Sequence, residues 1–450
     1  MANNNTSQPT QVQTLVLPPN FEISPEMQSA INAVSKKQSV FITGRAGTGK
    51  STLLTYLMQD ALKDNYVVVA PTGVAALNVG GSTIHKFFGF LPDITFEHIE
   101  SPDYHPRSMS IMKNLKTLII DEISMVRADL LDCVDKALRR YGPKPNKPFG
   151  GVQLVLVGDL FQLTPIVADS EQEFLYSHYE TPFFFSSYGY RDMHFERIIL
   201  NKVYRQNELE FLEILNGIRV NQTTPELLDL LNTRVQPDFE PLKDKFFITL
   251  VATNSLANKI NQRELEKLDG ELFQSKAHIT GALSKSEYPT ELEIFFKVGS
   301  QIMMLNNDAE GRWVNGTLAT IEAINLENGK RDPHLMVKIA SSNERYEVTK
   351  HIWEVKRPRS MGNKLVYDII GAFTQFPFML AWAVTIHKSQ GKTFENVIID
   401  LAAKAFAAGQ LYVALSRCTT LDGIILKQPI DSSQVILDER VLEFHQGGEI

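Results

Sequence analysis

The stretch Gly44-Arg-Ala-Gly-Thr-Gly-Lys-Ser51, GRAGTGKS, decides the fold of this chain. It satisfies the spacing G-x-x-x-x-G-K-[ST], with the apolar run SVFITG before it and the helix-like STLLTYLMQDALK after it. A glycine-rich turn from strand to helix aims main-chain N–H groups at an anion, and the helix N-terminus adds a favourable dipole. Gly44, Ala46, Gly47, Thr48, Gly49, Lys50, Ser51 and Thr52 are therefore the candidate contacts to a nucleoside triphosphate. Lys50 suits the β and γ phosphates and Ser51 suits Mg²⁺. The bland alternative, a glycine-rich turn with no ligand, is disfavoured by the full motif in its full context.

Outward from this loop, two further strand ends point at the same place. TLIIDEISM delivers Asp121 and Glu122 at the C-terminal end of an apolar strand, where sites form in parallel sheets. Asp121 is the candidate metal ligand beside Ser51, and Glu122 the candidate to polarise an attacking water. LVLVGDLFQLTPI ends a third strand at Gly158-Asp159, with Gln162 just beyond as a candidate sensor of the γ-phosphate. Hydrolysis of a nucleoside triphosphate follows from these residues alone.

The rest of the chain repeats the rhythm. VVVAP, RIILN, FFITLVAT and NVIIDL are short apolar runs separated by helix-like stretches, as in a parallel sheet covered on both faces. SPEMQSAINAV predicts a helix capped by Ser24 with Pro25 at its first position. Two regions break the pattern. Residues 91–109 carry three prolines and no clear period, and read as an insertion. Residues 314–355 alternate apolar and polar, with turn signals at Asn315-Gly316, Asn328-Gly329 and Asp332-Pro333, and predict an antiparallel β module.

Length and composition bound the class. At 450 residues the chain holds two or three cores, and a net charge of −7 argues against a broad basic nucleic-acid face while permitting a narrow channel. Cys133 and Cys418 make neither a disulfide framework nor a cysteine zinc site, which points to a reducing compartment. There is no apolar run of membrane-spanning length and no secretory or mitochondrial signal, so the expected setting is cytoplasmic, without membrane contact. Residues 1–22 read as a flexible tail, and no internal repeat is evident.

Seven blocks then occur in a fixed order: GRAGTGKST, APTGVAALNVGGSTIHKFFGF, DEISMVRADLLDCVDKALRR, FGGVQLVLVGDLFQLTPI, VYRQ, TIHKSQGKTFENVIIDL and GQLYVALSRC. Together they resemble the superfamily-one, RecD-like helicases that move 5′ to 3′, and within them the Pif-one family. The resemblance runs from about Ser24 to about Gly423. It implies an α/β fold of two RecA-like, parallel-sheet P-loop motor domains with small inserted subdomains, one an SH3-like β-barrel. The expected layout is a first motor domain over 23–193 with a small insert near 89–110, a second over 194–313 and 372–450, and the barrel over 314–371. ATP and Mg²⁺ are the implied cofactors, and single-stranded and forked DNA the implied partners of a monomeric enzyme. G-quadruplex and RNA–DNA hybrid substrates are left open. A bacterial or phage-encoded, nucleoid-associated enzyme is expected, with family links to DNA repair, recombination and telomere maintenance.

The resemblance also assigns residues. Arg205 and Arg417 are implied to pair with the γ-phosphate, which suits the planar guanidinium fork. Gln28 is implied to read the adenine edge, and Gly391 to lie near the nucleotide. Thr72, Gly73, Thr83, His85 and Phe88 on the first domain, and Thr385, His387, Lys388 and Ser389 on the second, mix donors with an aromatic ring as single-strand contacts do. Core packing is the bland reading for Phe87, Phe88 and Phe90, and burial for Cys133. Arg139, Arg140, Lys144 and Lys147, and Lys356, Arg357, Arg359 and Lys364, read either as solvated basic loops or as a DNA path.

Gly391-Lys392-Thr393 repeats the end of the phosphate loop, but position 386 is Ile where the motif needs its first Gly. LAWAVTIHKSQ reads as a helix with no strand leading into the tripeptide. The segment is thus expected to couple DNA to the γ-phosphate region. The alternatives to a DNA helicase are a P-loop ATPase that remodels proteins and an RNA helicase of the same superfamily; stimulation of hydrolysis by single-stranded DNA separates them.

Overall fold

The computed structural model describes residues 17, 21–62, 65–91, 94–206, 208–241, 245–281, 283, 285, 288–325, 333–361, 364–401 and 407–447, and the side chains of 356–367 lie outside that description. The tail up to residue 16, the turn at Asn328-Gly329, Asp332, and the side chains of Lys356, Arg357, Arg359 and Lys364 therefore fall outside it.

The first sheet contains β1 (Val40–Gly44), β2 (Tyr66–Ala70), β3 (Ser82–Thr83), β4 (Thr117–Ile120), β5 (Gln153–Val157) and β6 (Glu196–Leu200). All run parallel, in the order β3-β2-β4-β5-β1-β6. The near-continuous apolar strands are explained by burial on both faces. Phe41, Val67, Val69, Leu118, Ile120, Leu154 and Leu156 enter one core. Val40, Ile42, Val68, Ile119, Val155 and Val157 enter the other. The helix Pro25–Ser35 covers the second face through Met27, Ala30 and Val34, with Ser24 accepting from the Met27 N–H at its start. The helix Ala128–Tyr141 covers the first through Leu131, Val134 and Leu138, and buries Cys133 beside them.

Beyond β7 (Ile248–Val251) the chain turns antiparallel: β8 (Phe273–Lys276), β9 (His278–Gly281), β10 (Glu293–Phe296), β11 (Gln301–Met304), β12 (Leu318–Asn325), β13 (His334–Ile339), β14 (Arg345–Thr349), β15 (His351–Met361), β16 (Lys364–Gln375) and β17 (Phe378–Leu380). A five-stranded sheet, β14-β13-β12-β11-β17, closes over Ile302, Ile321, Leu335, Val337 and Phe378. Finally β18 (Ala383–Thr385), β19 (Val397–Asp400) and β20 (Ile424–Leu426) join β7 in a second parallel sheet, β18-β7-β19-β20.

Several expectations need correction. Within 314–355, β12, β13 and β14 form the expected antiparallel meander, but their sheet recruits β11 and β17 from outside 314–371, and β15 pairs instead with β16 in a separate sheet. β6 pairs with β1, so the first sheet extends past residue 193. The C-terminal helix Glu439–His445 returns to the first domain: Phe444 stacks on Phe185 at 4.2 Å, and Arg197 Nη1 donates to the Phe444 carbonyl at 2.6 Å. LAWAVT holds no helix: Leu380 ends β17, Ala381 and Trp382 connect, and Ala383–Thr385 form β18. Its end pairs with β7, and Asn261 both donates to and accepts from the Ala383 main chain at 2.8 Å, satisfying this sheet edge. In the insertion, residues 94–109 form a strap with a helix at Phe96–Glu100. Tyr104 donates to the Phe88 carbonyl, and Arg140 to those of Ile99 and Ser101. Arg139 meanwhile pairs with Asp135 and Asp192, so these two arginines serve the fold. Among the described residues no helix is long and apolar enough to cross a membrane.

Candidate nucleotide and nucleic-acid site

The phosphate loop joins β1 to the helix Lys50–Tyr56, which continues as a π turn over Leu57–Ala61. Gly47 and Gly49 take φ of +78° and +84°, and a Cβ at Gly47 would lie 2.6 Å from Arg205 Cβ, so glycine is required there sterically. Thr48, fully buried, donates to the Arg45 carbonyl at 2.9 Å and closes the loop. Lys50 Nζ donates to the carbonyls of Gly44 and Arg45 at 2.7 and 2.9 Å. Ser51 is exposed at the loop's mouth with Thr52 half-buried behind it.

Asp121 and Glu122 follow β4 directly. Glu122 has φ +52° and ψ +44°, an unusual conformation for a side-chain-bearing residue, held where the strand turns into Ile123–Met125. Burial raises both carboxyls above their ordinary range, against the pull of Lys50. Gln162, buried beyond β5, donates to Asp159 Oδ2 at 3.0 Å.

The second domain supplies the facing wall. Arg205 Nη1 donates to the Ser416 carbonyl at 3.0 Å. Arg417 is 1% exposed and donates to the carbonyl of Val413 and the hydroxyl of Ser416, both at 2.8 Å, and at longer range to the carbonyls of Ser389 and Lys392. Burial lowers the pKa of Lys50, Arg205 and Arg417 alike. Among the described residues none of the three is in an ion pair, and their partners are mainly main-chain carbonyls. Cations held this way, half-buried at Lys50 and Arg205 and fully buried at Arg417, are matched to an incoming polyanion.

The arrangement also includes residues that the motif reading passed over. Tyr412, 3% exposed, accepts from the Ala46 N–H at 3.0 Å across the cleft. Gln206 donates to the carbonyls of Ser416 and Cys418. Tyr204, 44% exposed, lies beside Gly49. Gln390 donates to Glu122 Oε2 at 2.9 Å and reaches Gln162 Oε1 at 3.5 Å. Tyr412, Gln206 and Gln390 lie inside or next to the quoted blocks, yet nothing in those blocks tells which polar side chain crosses the cleft.

The remaining candidates divide. Gln28 is exposed on its helix and bonded to Asn32. Thr72 caps the helix Gly73–Asn78 by accepting from the Ala75 N–H, and Thr83 caps Ile84–Phe88 by accepting from that of Lys86. His85, His387 and Lys388 are half-buried, and burial lowers both histidine pKa values. Three of the expected DNA contacts have buried side chains. Phe88 is fully buried, stacked on Phe90 at 5.3 Å and edge-on to Phe87, so it belongs to the core and not to a DNA surface. Ser389 is likewise buried, and its hydroxyl donates to the Ile386 carbonyl at 2.7 Å. Thr385 is also buried, as the cap of Ile386–Ser389. Gly391 is exposed with φ +77°. Lys392 turns away from any phosphate loop: its Nζ donates to Asn315 Oδ1 at 2.5 Å, and Asn315 donates to Asn78 Oδ1 of the first domain at 3.3 Å.

Two parallel α/β sheets meeting over a phosphate loop, with arginines supplied from the second, define the RecA-like motor class. The PIF1-like helicase family matches residues 22–219, and the UvrD-like helicase C-terminal domain matches 380–421. The ATP-dependent DNA helicase Pif1 of Bdellovibrio bacteriovorus is 30% identical over 436 residues, covering 95% of this chain and 92% of that protein. A crystal structure of Bacteroides sp Pif1 in complex with ADP-AlF4 superposes with a TM-score of 0.84 at 35% identity, covering 95% of this chain and 97% of that one. Bacteroides Pif1 bound to ssDNA, at the same identity and coverage, gives 0.68, so the parts of this chain are arranged more like the former. The chain belongs to the PIF1-like helicase family and is an ATP-dependent DNA helicase.

Proposed function

We propose that this helicase binds ATP in the cleft between its two parallel sheets and uses hydrolysis there to move 5′ to 3′ along single-stranded DNA, opening the duplex ahead. The observation that carries the site is the trio of cations lining the cleft, half-buried Lys50 and Arg205 and fully buried Arg417, none of them in an ion pair among the described residues. A triphosphate is the ligand that such a trio, a phosphate loop and two strand-end carboxyls jointly fit.

In this reading the N–H groups from Gly44 to Thr52 cradle the phosphates, and Lys50 bridges the β and γ groups. Glu122, ionised, orients the attacking water and takes its proton. Arg205 and Arg417 stabilise charge that develops on the γ-phosphate, and Gln162 reports its presence. Tyr204 faces the base beside Gly49, with Gln28 reading its edge. Tyr412 competes for the Ala46 N–H and yields to phosphate oxygen. The donor set of Ser51 hydroxyl and buried Asp121 carboxyl fits Mg²⁺, a hard cation that takes oxygen ligands. When bound, Mg²⁺ would neutralise phosphate charge there.

DNA lies across both domains, gripped near Thr72, Gly73, Thr83 and His85 on one and His387 and Lys388 on the other. Closing the cleft on ATP moves one grip relative to the other. The difference in fit to the two Bacteroides Pif1 structures supports parts that rearrange around DNA. The test is the ATPase rate with and without single-stranded DNA, and unwinding of 5′-tailed against 3′-tailed duplexes. DNA-stimulated hydrolysis with unwinding of only the 5′-tailed substrate is expected. Unwinding of only the 3′-tailed one contradicts the direction.

A further inference from the structure

Arg219 ends the helix Leu209–Arg219 of the second domain and is 6% exposed. Its Nη2 donates to Asp159 Oδ1 of the first domain at 3.4 Å, and Asp159 is fully buried. Burying such a pair costs more than burying an apolar pair of the same volume, so its presence across a domain interface calls for a reason. The guanidinium lies 3.8 Å from the centroid of Phe161, whose ring meets His445 edge-on at 4.9 Å. This fixes the plane of the Arg219 fork. Its Nε has no hydrogen-bond partner among the described residues, so local pairing does not account for the whole group.

The orientation of the next groups is dictated by donor and acceptor chemistry. Asp159 Oδ2 accepts from Gln162 Nε2 at 3.0 Å. A carboxylate only accepts, so the amide nitrogen of Gln162 must face it and the amide oxygen must face away. That oxygen meets Gln390 Nε2 at 3.5 Å, and the same nitrogen donates to Glu122 Oε2 at 2.9 Å. The chain Arg219–Asp159–Gln162–Gln390–Glu122 thus begins on the second domain, enters the first, returns to the second through Gln390 and ends on the first.

We propose that Arg219 is a positioning residue for hydrolysis: by clamping Asp159 it sets which face of Gln162 looks into the cleft, and through Gln390 it sets the Glu122 carboxyl according to where the second domain stands. This rests on the reading of the cleft as the ATP site, which Lys50→Ala tests separately.

The experiment measures kcat and KM for ATP at saturating single-stranded DNA in the full chain and in Arg219→Gln, Arg219→Lys, Gln162→Ala and the Arg219→Gln/Gln162→Ala double variant. Arg219→Gln is expected to lower kcat about tenfold to a hundredfold with KM within about twofold, as loss of a supporting partner does. Arg219→Lys should recover part of it. The double variant should be no slower than Gln162→Ala alone, because both substitutions break one chain. If Arg219→Gln melts at the assay temperature, the same cycle run with Arg219→Lys decides. An unchanged kcat, a rise in KM alone, or additive losses in the cycle would each overturn the proposal. Full activity in Lys50→Ala would instead overturn the site reading beneath it.

Discussion

The four residues Thr-Ile-His-Lys occur twice, at 83–86 on the first domain and 385–388 on the second, and they fold the same way. Each threonine caps a short helix after an edge strand, with φ, ψ of −71°, 151° and −73°, 150°, accepting from the lysine N–H at 3.2 Å both times. Each isoleucine is fully buried, and each histidine is half-buried and loses basicity by burial. The two turns differ in the residues next along the chain. After Lys86 come Phe87 and Phe88, which enter the core of the first domain. After Lys388 come Ser389, which accepts from Arg417, and Gln390, which donates to Glu122. One cap is therefore anchored in the core of its own domain, and the other runs into side chains that reach Arg417 and Glu122.

Substitutions can tell the two turns apart at several levels. The largest effect is expected at the chemical end. Glu122→Gln should lower kcat by roughly a hundredfold to ten-thousandfold while DNA binding through both turns survives, measured by steady-state hydrolysis and by DNA titration. Because burial raises the Glu122 and Asp121 carboxyls, the acidic limb of kcat/KM should sit above the ordinary carboxylate range. Activity that needs the ionised base is present above that limb and lost as pH falls through it.

On the first turn, Phe88→Ala should cost about 3–5 kcal/mol of stability in denaturant unfolding. DNA stimulation of whatever remains folded should be retained, since the Phe88 side chain is buried in the core. His387→Ala or Lys388→Ala should reduce DNA stimulation several-fold more than ATP affinity, on the order of 1 kcal/mol of coupling. His85→Ala and Lys86→Ala should instead weaken DNA binding equally with and without ATP; equal behaviour of the two pairs would erase the distinction. The smallest effect is on salt dependence. Lys86→Ala and Lys388→Ala should each flatten the log–log slope of single-strand affinity by about 0.7 if each neutralises one phosphate.

Legibility in the sequence tracked the range of the interactions. The phosphate loop, Asp121-Glu122 and the parallel strands are local patterns, and alternation along β1, β4 and β5 into two cores is the direct outcome of their continuous apolar runs. The amphipathic helix with Cys133 buried was equally local. Phe88 misled because an aromatic beside a histidine and a lysine looks the same on a surface and in a core; only Phe87, Phe90 and Tyr104 arriving from either side decide it. LAWAVT misled because short apolar runs suit helix and strand alike until β7 is there to pair with. Arg219 carried no local signal, lying at the end of an ordinary amphipathic helix, and its partner Asp159 lies 60 residues earlier in the chain.

The proposed coupling, in which the turn at 385–388 transmits DNA binding to the nucleotide cleft through Gln390, is best tested by one ratio. This is the ATPase rate with saturating single-stranded DNA over the rate without it, in the wild-type chain and in Gln390→Ala. Strong stimulation is expected in the wild type, and a ratio falling toward one in the variant, with KM for ATP little changed and DNA still bound. Undiminished stimulation in Gln390→Ala would refute the coupling.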